Sequence, residues 1–258
     1  MKIKKLLSFL GISVAVFFIG LITLVLFPQP LFANNYSYDQ VNIYTKAPID
    51  QNAFNQAIDQ AITLLQKSEL YDADYIFDVF LADQTAYNRL DDWLMGRWPV
   101  ARAVANNVII KRRVEVEKGL VDNGENRFEL VYVLAHEMIH CLQNHRFGMR
   151  KFNPLNHPPF WKLEGYPEYI ARQPLLQSEE YTLKKGISDF LSLTKDIEEN
   201  HQIIQIAERE STPYIYYKGR LMMEYLIDIK GMSYAKILEE EVKEDAVFKE
   251  MMAWYNEQ

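Results

Sequence analysis

Residues 130–142 read LVYVLAHEMIHCL, an almost wholly apolar run that leads into two histidines four residues apart. Residues four apart lie one above the other on the same face of an α-helix, so the imidazoles of His136 and His140 can reach one metal ion. Histidines buried in such a helix need polar partners, and a metal ion is one such partner. The stretch therefore predicts a long helix over residues 128–144 that crosses the centre of a domain and carries a metal site. Two histidines that make other polar contacts in the core are the alternative.

Glu137 follows the first histidine, where it can take a proton from a water molecule that the metal activates rather than bind the metal itself. The pattern HEMIH leaves the third metal ligand open. A metalloprotease of the metzincin kind needs glycine at position 143 and histidine at position 146, but the chain has Gln143 and Arg146. That branch is therefore excluded, and the spacing of His145 and His157 supports neither of them as a ligand.

A second segment, residues 163–169, reads LEGYPEY. Together with HEMIH it resembles the gluzincin metallopeptidases of the MA-like clan, whose second helix carries an Asn/Ser-Glu-Gly-x-Ala-Glu-Tyr segment. The matching positions are Glu164, Gly165, Glu168 and Tyr169. The resemblance implies that Glu164 binds Zn²⁺ together with His136 and His140, while Pro167 departs from the family pattern. The role of Glu168 remains open. Its carboxylate either accepts a hydrogen bond from a ligand histidine or lies in solvent on the helix surface.

A third segment, residues 213–219, reads PYIYYKG. Aminopeptidase-type gluzincins carry a Tyr-x-Lys-Gly segment whose tyrosine donates a hydrogen bond to the oxyanion, and Tyr216 occupies that place. The resemblance thus implies a catalytic role for Tyr216. Tyr214 and Tyr217 are the alternatives for this role, and a Tyr216 that only packs in the core is the non-catalytic alternative. The chain lacks a Gly-x-Met-Glu-Asn segment, which favours an endopeptidase or another specificity over an aminopeptidase. The resemblance covers residues 130–226.

The N-terminal residues 6–27 form an uncharged segment of 22 residues that is rich in Leu, Ile, Val and Phe. As a helix it would be about 33 Å long, enough to cross a bilayer core of about 30 Å. Lys2, Lys4 and Lys5 precede it, so the positive-inside rule predicts a cytoplasmic tail of residues 1–5 and a single-pass anchor in the cell membrane. A cleaved signal peptide that ends near Ala33 is the alternative. Both place the rest of the chain on the extracytoplasmic side.

The rest of the chain is acidic. Lys2, Lys4 and Lys5 are the only charged residues before position 34. Residues 34–258 therefore hold the other 25 of the 28 basic residues and all 35 acidic residues, which gives a net charge of -10. Nucleic acids and anionic lipids bind to clustered Lys and Arg, so this balance argues against either as the main partner. Cys141 is the only cysteine, which excludes an intramolecular disulfide framework.

The remaining sequence predicts an α+β domain over residues 51–258, which a Pro- and Asn-containing linker over residues 28–50 joins to the anchor. Residue patterns predict a helix over residues 51–68 and strands over residues 75–81 and 100–116. Further helices are predicted near residues 161–173, 178–200, 214–229 and 233–256, the last one broken. The gluzincin resemblance implies a zincin-like domain with a small mixed sheet and a mostly helical C-terminal half.

These features favour a membrane-anchored zinc peptidase that hydrolyses peptide bonds in a peptide or protein substrate outside the cytoplasm. The resemblance implies that residues 100–110 form an edge strand along which an extended peptide pairs. The main alternative is a non-catalytic, anchored binding module with a structural zinc ion, whose fourth ligand would be His145, His157 or Glu168. A zinc hydrolase with a non-peptide substrate is the third hypothesis, because the metal ligands alone do not select the substrate.

Overall fold

A five-stranded mixed sheet organises the N-terminal half of the domain in the computed structural model, which describes residues 2–97, 99–148, 150–152, 156–195 and 203–257. Its strands are β1 (Asn34–Tyr38), β2 (Val41–Thr45), β3 (Phe77–Leu81), β4 (Ala101–Val104) and β5 (Asn107–Ile110). Their order is β1-β2-β3-β5-β4, with β3 parallel to both of its neighbours and antiparallel pairs at both ends. β4 therefore forms one edge of the sheet.

Two smaller antiparallel sheets lie further along the chain. Their strands are β6 (Arg113–Glu115), β7 (Leu120–Asp122) and β8 (Arg127–Glu129) in one, and β9 (Ile203–Ala207) and β10 (Glu210–Pro213) in the other. The region 100–116, predicted as strand, thus contains three strands of two different sheets. The β9–β10 hairpin is not among the predicted elements.

Helices dominate the C-terminal half, and the mixture of helices and sheets confirms the α+β class. The helices are α1 (Lys2–Leu26), α2 (Gln51–Leu65), α3 (Ala86–Met95), α4 (Leu130–Phe147), α5 (Phe160–Ala171), α6 (Gln173–Leu176), α7 (Leu183–Thr194), α8 (Tyr214–Glu224), α9 (Tyr234–Glu239) and α10 (Glu244–Glu257). A π-helical segment, Tyr225–Ile229, continues α8, and the predicted break in the last helix separates α9 from α10. Residues 196–200 of the helix predicted over 178–200 lie outside the described residues.

The long N-terminal helix α1 exposes apolar side chains between residues 12 and 24. Ile12, Val16, Phe17, Ile19 and Ile22 are each more than half exposed. Within the described part of the chain, no helix combines the length and the hydropathy of a membrane span.

The structure corrects the predicted linker over residues 28–50. β1 and β2 lie within it and supply two strands of the main sheet, where β2 pairs in parallel with β3. Val41 and Ile43 are buried in the core, and the rings of Phe32 and Phe80 pack with their centroids 5.1 Å apart. The folded domain therefore begins close to the end of α1.

The main sheet is covered on both faces. Neighbouring residues of a strand point to opposite sides of the sheet and so enter two different cores. Val79 faces the main core, which α2 and α4 complete, whereas Phe80 faces a smaller core with Phe32 and with Tyr87 of α3. Helix α4 thus lies in the main core and also packs against α5, and this position buries most of its side chains from Leu130 onward.

Helices α5 and α8 approach each other closely at two glycines. A Cβ atom added to Gly165 would lie 2.6 Å from the carbonyl oxygen of Gly219, and one added to Gly219 would lie 3.1 Å from Cα of Gly165. The obstructing atoms are backbone atoms, so they cannot move aside as a flexible side chain can. This contact sets the position of α5, which carries Glu164.

We expect Gly165→Ala to destabilise the domain by about 1–3 kcal/mol, because the added methyl group overpacks the contact between α5 and α8. Thermal unfolding of the full chain measures this effect. Gly20→Ala in α1 is the matched control, since no atom lies within 4 Å of its added Cβ. An equal melting temperature for Gly165→Ala and the wild-type chain would contradict the close packing.

Candidate metal centre

Helices α4 and α5 bring three possible metal ligands together. Nε2 of His136 lies 3.2 Å from Nε2 of His140, and Oε2 of Glu164 lies 3.3 Å from the first nitrogen and 3.2 Å from the second. All three side chains are largely buried, and α5 continues through Pro167 without ending there. Among the described residues this is the one group of three or more His, Cys, Asp or Glu side chains that can hold a metal ion.

The spacing of these three atoms fits a small tetrahedral cation. Ligand atoms at bond lengths of about 2.0–2.1 Å and tetrahedral angles are separated by about 3.3 Å. The observed separations of 3.2–3.3 Å agree with that value. Two imidazole nitrogens and one carboxylate oxygen also form a donor set that zinc commonly accepts. The residues therefore fit a metal ion both in geometry and in chemistry.

The electrostatics of the group also favour a cation. Burial by itself raises the pKa of Glu164, but the two histidines outweigh it and hold this pKa far below its usual range. Burial by itself lowers the pKa of His136, but contacts with Glu164 and Glu168 reverse this effect and raise the pKa to about 10. The buried carboxylates thus stabilise positive charge at the point where the three ligand atoms meet.

Glu168 supports His136 from the side opposite the proposed metal. Its Oε1 lies 3.1 Å from Nδ1 of His136, and the carboxylate also accepts a hydrogen bond from the hydroxyl of Tyr132. The guanidinium of Arg172 lies 3.8 Å from the second oxygen of Glu168 and 4.2 Å from the centre of the Tyr132 ring. Glu168 is only 2% exposed, so it is not a solvated helix carboxylate.

Gln143 supports the second histidine and determines its tautomer. The amide Nε2 of Gln143 donates to the carbonyl oxygen of Leu163 at 3.1 Å and to the hydroxyl of Tyr234 at 2.7 Å. A carbonyl oxygen can only accept, so the amide oxygen must face Nδ1 of His140, 2.8 Å away. Nδ1 therefore donates, which leaves Nε2 as the nitrogen that faces Glu164. The sequence analysis did not predict this role of Gln143. The available signal was its position three residues after His140, on the same helix face.

The ligands line a cavity of about 410 Å³, and Glu137 and Tyr216 lie in its wall. Glu137 is buried, and burial raises the pKa of its carboxyl group above the usual value. The two histidines oppose this rise but do not cancel it. The ring of Tyr216 stacks on His136 with a centroid distance of 5.5 Å and an angle of 18°. Burial raises the pKa of Tyr216 well above its usual value, so the phenol keeps its proton.

The neighbouring tyrosines point elsewhere. The rings of Tyr214 and Tyr217 pack on Phe190, at centroid distances of 5.2 and 5.5 Å, and the Tyr217 hydroxyl donates to the carbonyl oxygen of Gly186 at 3.5 Å. Neither borders the cavity that contains the ligands. Of the three candidate tyrosines, the structure thus brings Tyr216 to the ligands.

The edge strand β4 forms one side of the same cavity. Ala101 and Ala103 of β4 border it together with Pro99, and Phe152, Phe160 and Leu163 also border it. Two further cavities, of about 430 and 370 Å³, lie beside Arg172 and contain none of the three ligands. The larger size of one of them therefore has no bearing on the metal centre.

Neither His145 nor His157 joins the ligand group. His145 lies on the surface and contacts Asp72 at 3.1 Å, and His157 borders the cavity but contacts the carbonyl oxygen of Pro158 at 2.7 Å. Glu168 contacts the far nitrogen of His136. No fourth His, Cys, Asp or Glu side chain among the described residues is therefore positioned to close the site.

The chain matches no protein-family model, and no curated protein has significant sequence similarity to it.

Proposed function

We propose that the protein is a zinc-dependent peptidase that hydrolyses peptide bonds. The observation that carries this proposal is the convergence of His136, His140 and Glu164, with ligand atoms 3.2–3.3 Å apart, in a cavity that Glu137 also borders. Three protein ligands with a fourth position left for water or substrate are typical of catalytic rather than structural zinc sites. This arrangement therefore favours hydrolysis over the structural-zinc alternative.

The side chains in the cavity divide the chemistry between them. Zinc, when bound, polarises the substrate carbonyl and lowers the pKa of water to about 7. Glu137 accepts a proton from the water that attacks the carbonyl carbon and delivers it to the leaving nitrogen as the C–N bond breaks. Tyr216 donates a hydrogen bond to the carbonyl oxygen as negative charge develops there. Glu168 and Gln143 hold the two imidazoles with their Nε2 atoms toward Glu164.

The edge strand supports a peptide as the substrate. β4 pairs with β5 on one side and is the last strand of the described sheet on the other. An extended peptide added beside β4 would form backbone hydrogen bonds and run past the ligands, since Ala101 and Ala103 of β4 border the metal cavity. A non-peptide substrate would not use these backbone groups, and this difference separates the two hydrolase hypotheses.

We also propose that α1 anchors the protein in the cell membrane as a single span, with residues 1–5 in the cytoplasm and the domain outside. The support is the uncharged segment of residues 6–27, the three lysines before it and the exposed apolar side chains of α1. A helix that is apolar all round needs either a protein core or a lipid environment around it. A cleaved signal peptide remains the alternative.

The proposed activity is tested on the full-length protein in lipid nanodiscs, by metal analysis and by cleavage of an unfolded protein such as reduced casein. We expect about one zinc ion per chain and hydrolysis that a chelator abolishes and added zinc restores. Zinc binding without cleavage of peptides, together with turnover of ester substrates, would favour the non-peptide hydrolase. Zinc binding without hydrolysis of either would favour the binding module.

Removing the carboxylate of Glu168 is expected to weaken zinc binding by about 10–100-fold, because His136 loses the group that orients it. The measurement is a competition between the protein and a chelator of known affinity, with Glu168→Ala and Glu168→Gln compared. Glutamine keeps an oxygen that can accept from Nδ1 of His136, so its loss of affinity should be smaller. Equal zinc affinities for both variants and the wild-type chain would refute this role.

Tyr216→Phe is expected to lower kcat by about 10²–10³-fold, because it removes a hydrogen-bond donor to the oxyanion. The phenyl ring can still stack on His136, so zinc content and KM should change little. Tyr217→Phe is the matched control, since the hydroxyl of Tyr217 lies at Gly186 instead of the cavity. Steady-state kinetics on a peptide substrate separates the two variants, and equal kcat values would exclude Tyr216 as the oxyanion donor.

A further inference from the structure

The domain is attached directly to the carboxyl end of α1. The hydroxyl of Tyr87 donates to the carbonyl oxygen of Val25 at 3.3 Å, and the amide of Asn107 donates to that of Leu26 at 2.8 Å. These carbonyl groups belong to the last turn of α1, where no later helical N–H group can reach them. A short helical turn, Gln29–Leu31, and the buried Phe32 follow at once. The domain is therefore held at the helix end rather than on a long tether.

Helix α3, which contains Tyr87, presents a basic and aromatic outer face. Its Tyr87 and Asp91 side chains are buried against the sheet, whereas Arg89 and Trp93, four residues apart, are exposed. Trp93 is 75% exposed, although an indole of this size is usually packed. The neighbouring Leu94 is 39% exposed, and the side chain of Arg97 just after the helix is 88% exposed, with its Nε 3.9 Å from the carboxylate of Asp92. This outer face, formed by Arg89, Trp93, Leu94 and Arg97, contrasts with the acidic balance of the domain.

Helix α3 contacts the end of α1 through its first turn. Tyr87 contacts Val25, two residues before the end of the uncharged segment at Phe27. Trp93 follows Tyr87 by six residues, or about 9 Å along the axis of α3, and the interfacial region of a bilayer is about 5–10 Å deep. Trp is enriched at this depth, and Arg can pair with lipid phosphates there.

We infer that the outer face of α3 is a second membrane contact, in which Trp93 and Leu94 enter the lipid headgroup region and Arg89 and Arg97 pair with phosphates. The inference rests on the proposed anchor, because α1 supplies the attachment that holds α3 at this level. Two contacts fix the orientation of the domain on the bilayer, which a single helix on a flexible linker does not.

The second contact also determines which substrates reach the metal centre. Pro99, two residues after Arg97, borders the cavity that contains His136 and Glu137. The chain from Trp93 to Pro99 spans at most about 20 Å, so the edge of the cavity at Pro99 lies within about 20 Å of the proposed contact. The substrates of the proposed peptidase are then chain segments that emerge from the bilayer or lie on it.

Depth-dependent fluorescence quenching tests this contact in the full-length protein. Trp93→Cys is labelled with a nitrobenzoxadiazole dye and reconstituted into vesicles of phosphatidylcholine and phosphatidylglycerol that contain a lipid with either a shallow or a deep doxyl spin label. Cys141 is fully buried and should not react with the dye. Ile19→Cys reports on α1, and Leu175→Cys in α6, which is 47% exposed, is the matched control on the domain. Thermal unfolding verifies that each variant is folded.

We expect strong quenching by the deep label at position 19 and by the shallow label at position 93, and several-fold weaker quenching by both at position 175. Quenching at position 19 together with control-level quenching at position 93 would overturn the second contact while leaving the anchor in place. Absence of quenching at position 19 would refute the anchor, and the inference about α3 with it. Neither result depends on zinc binding or on hydrolysis, so the proposed enzymatic activity is tested separately.

Discussion

Replacing Glu137 with glutamine is expected to lower kcat by about 10³-fold or more and to leave about one zinc ion per chain. Glu137 borders the cavity but does not belong to the group of three ligands, so an amide of equal size should leave that group intact. The amide cannot accept a proton from the attacking water, and hydrolysis should stop at that step. Metal analysis and casein cleavage on the same preparation measure both quantities.

The control for this substitution is Glu129→Gln, directly before the same helix. Glu129 is exposed and lies outside the metal cavity, so both zinc content and hydrolysis should stay at the wild-type level. Hydrolysis by Glu137→Gln at the wild-type rate would show that another group is the base. Loss of zinc from Glu137→Gln would instead mean that Glu137 acts on the metal ligands, and the division of roles between ligand and base would be wrong.

The ligand-bearing elements could be predicted because their signals are local. The four-residue spacing of His136 and His140 places both on one helix face whatever surrounds the helix. The apolar run before them indicates burial, and α4 is buried as predicted. Glu164 required the family resemblance as well, because no spacing rule connects a ligand on α5 with a pair of histidines on α4.

The linker prediction was wrong because β1 and β2 depend on partners that are distant in sequence. Strand β1 reads NNYSY, a composition typical of a loop, and it forms a strand by pairing with β2. Strand β2 in turn pairs with β3, beyond an intervening helix. Asn and Ser carry little strand propensity, so tertiary pairing decided the outcome. The β9–β10 hairpin has the same explanation, since Gln205, Glu210 and Pro213 weaken its strand pattern.

The supporting residues of the site show what a single sequence leaves open. Glu168 lies one turn after Glu164, so a shared helix face could be expected, but whether that face meets α4 or solvent depends on how the two helices pack. The close contact at Gly165 and Gly219 fixes the position of α5 from its other side. Gln143 was used only to exclude the metzincin pattern, although its amide orients His140.

Replacing Glu164 with alanine is expected to reduce zinc affinity by about 100-fold or more, since a total binding free energy of about 10–16 kcal/mol is shared among only a few ligands. The variant loses both an oxygen donor and the negative charge that faces the two imidazoles. Zinc content after dialysis against a weak chelator should therefore fall well below one ion per chain. Glu164→Gln separates the effect of the negative charge from that of side-chain size. Its neutral amide oxygen can take the place of the carboxylate oxygen but binds zinc weakly.

The comparison with Glu137→Gln decides whether Glu164 is a ligand. If Glu164 completes the ligand group, Glu137→Gln keeps zinc and loses hydrolysis, whereas Glu164→Ala loses both. Thermal unfolding without metal should show that Glu164→Ala is folded, so that loss of zinc does not reflect loss of structure. Equal zinc content in the wild-type chain and both variants would mean that Glu164 is not a ligand. The resemblance to the gluzincins would then fail, because Glu164 is the position that connects the second helix to the metal.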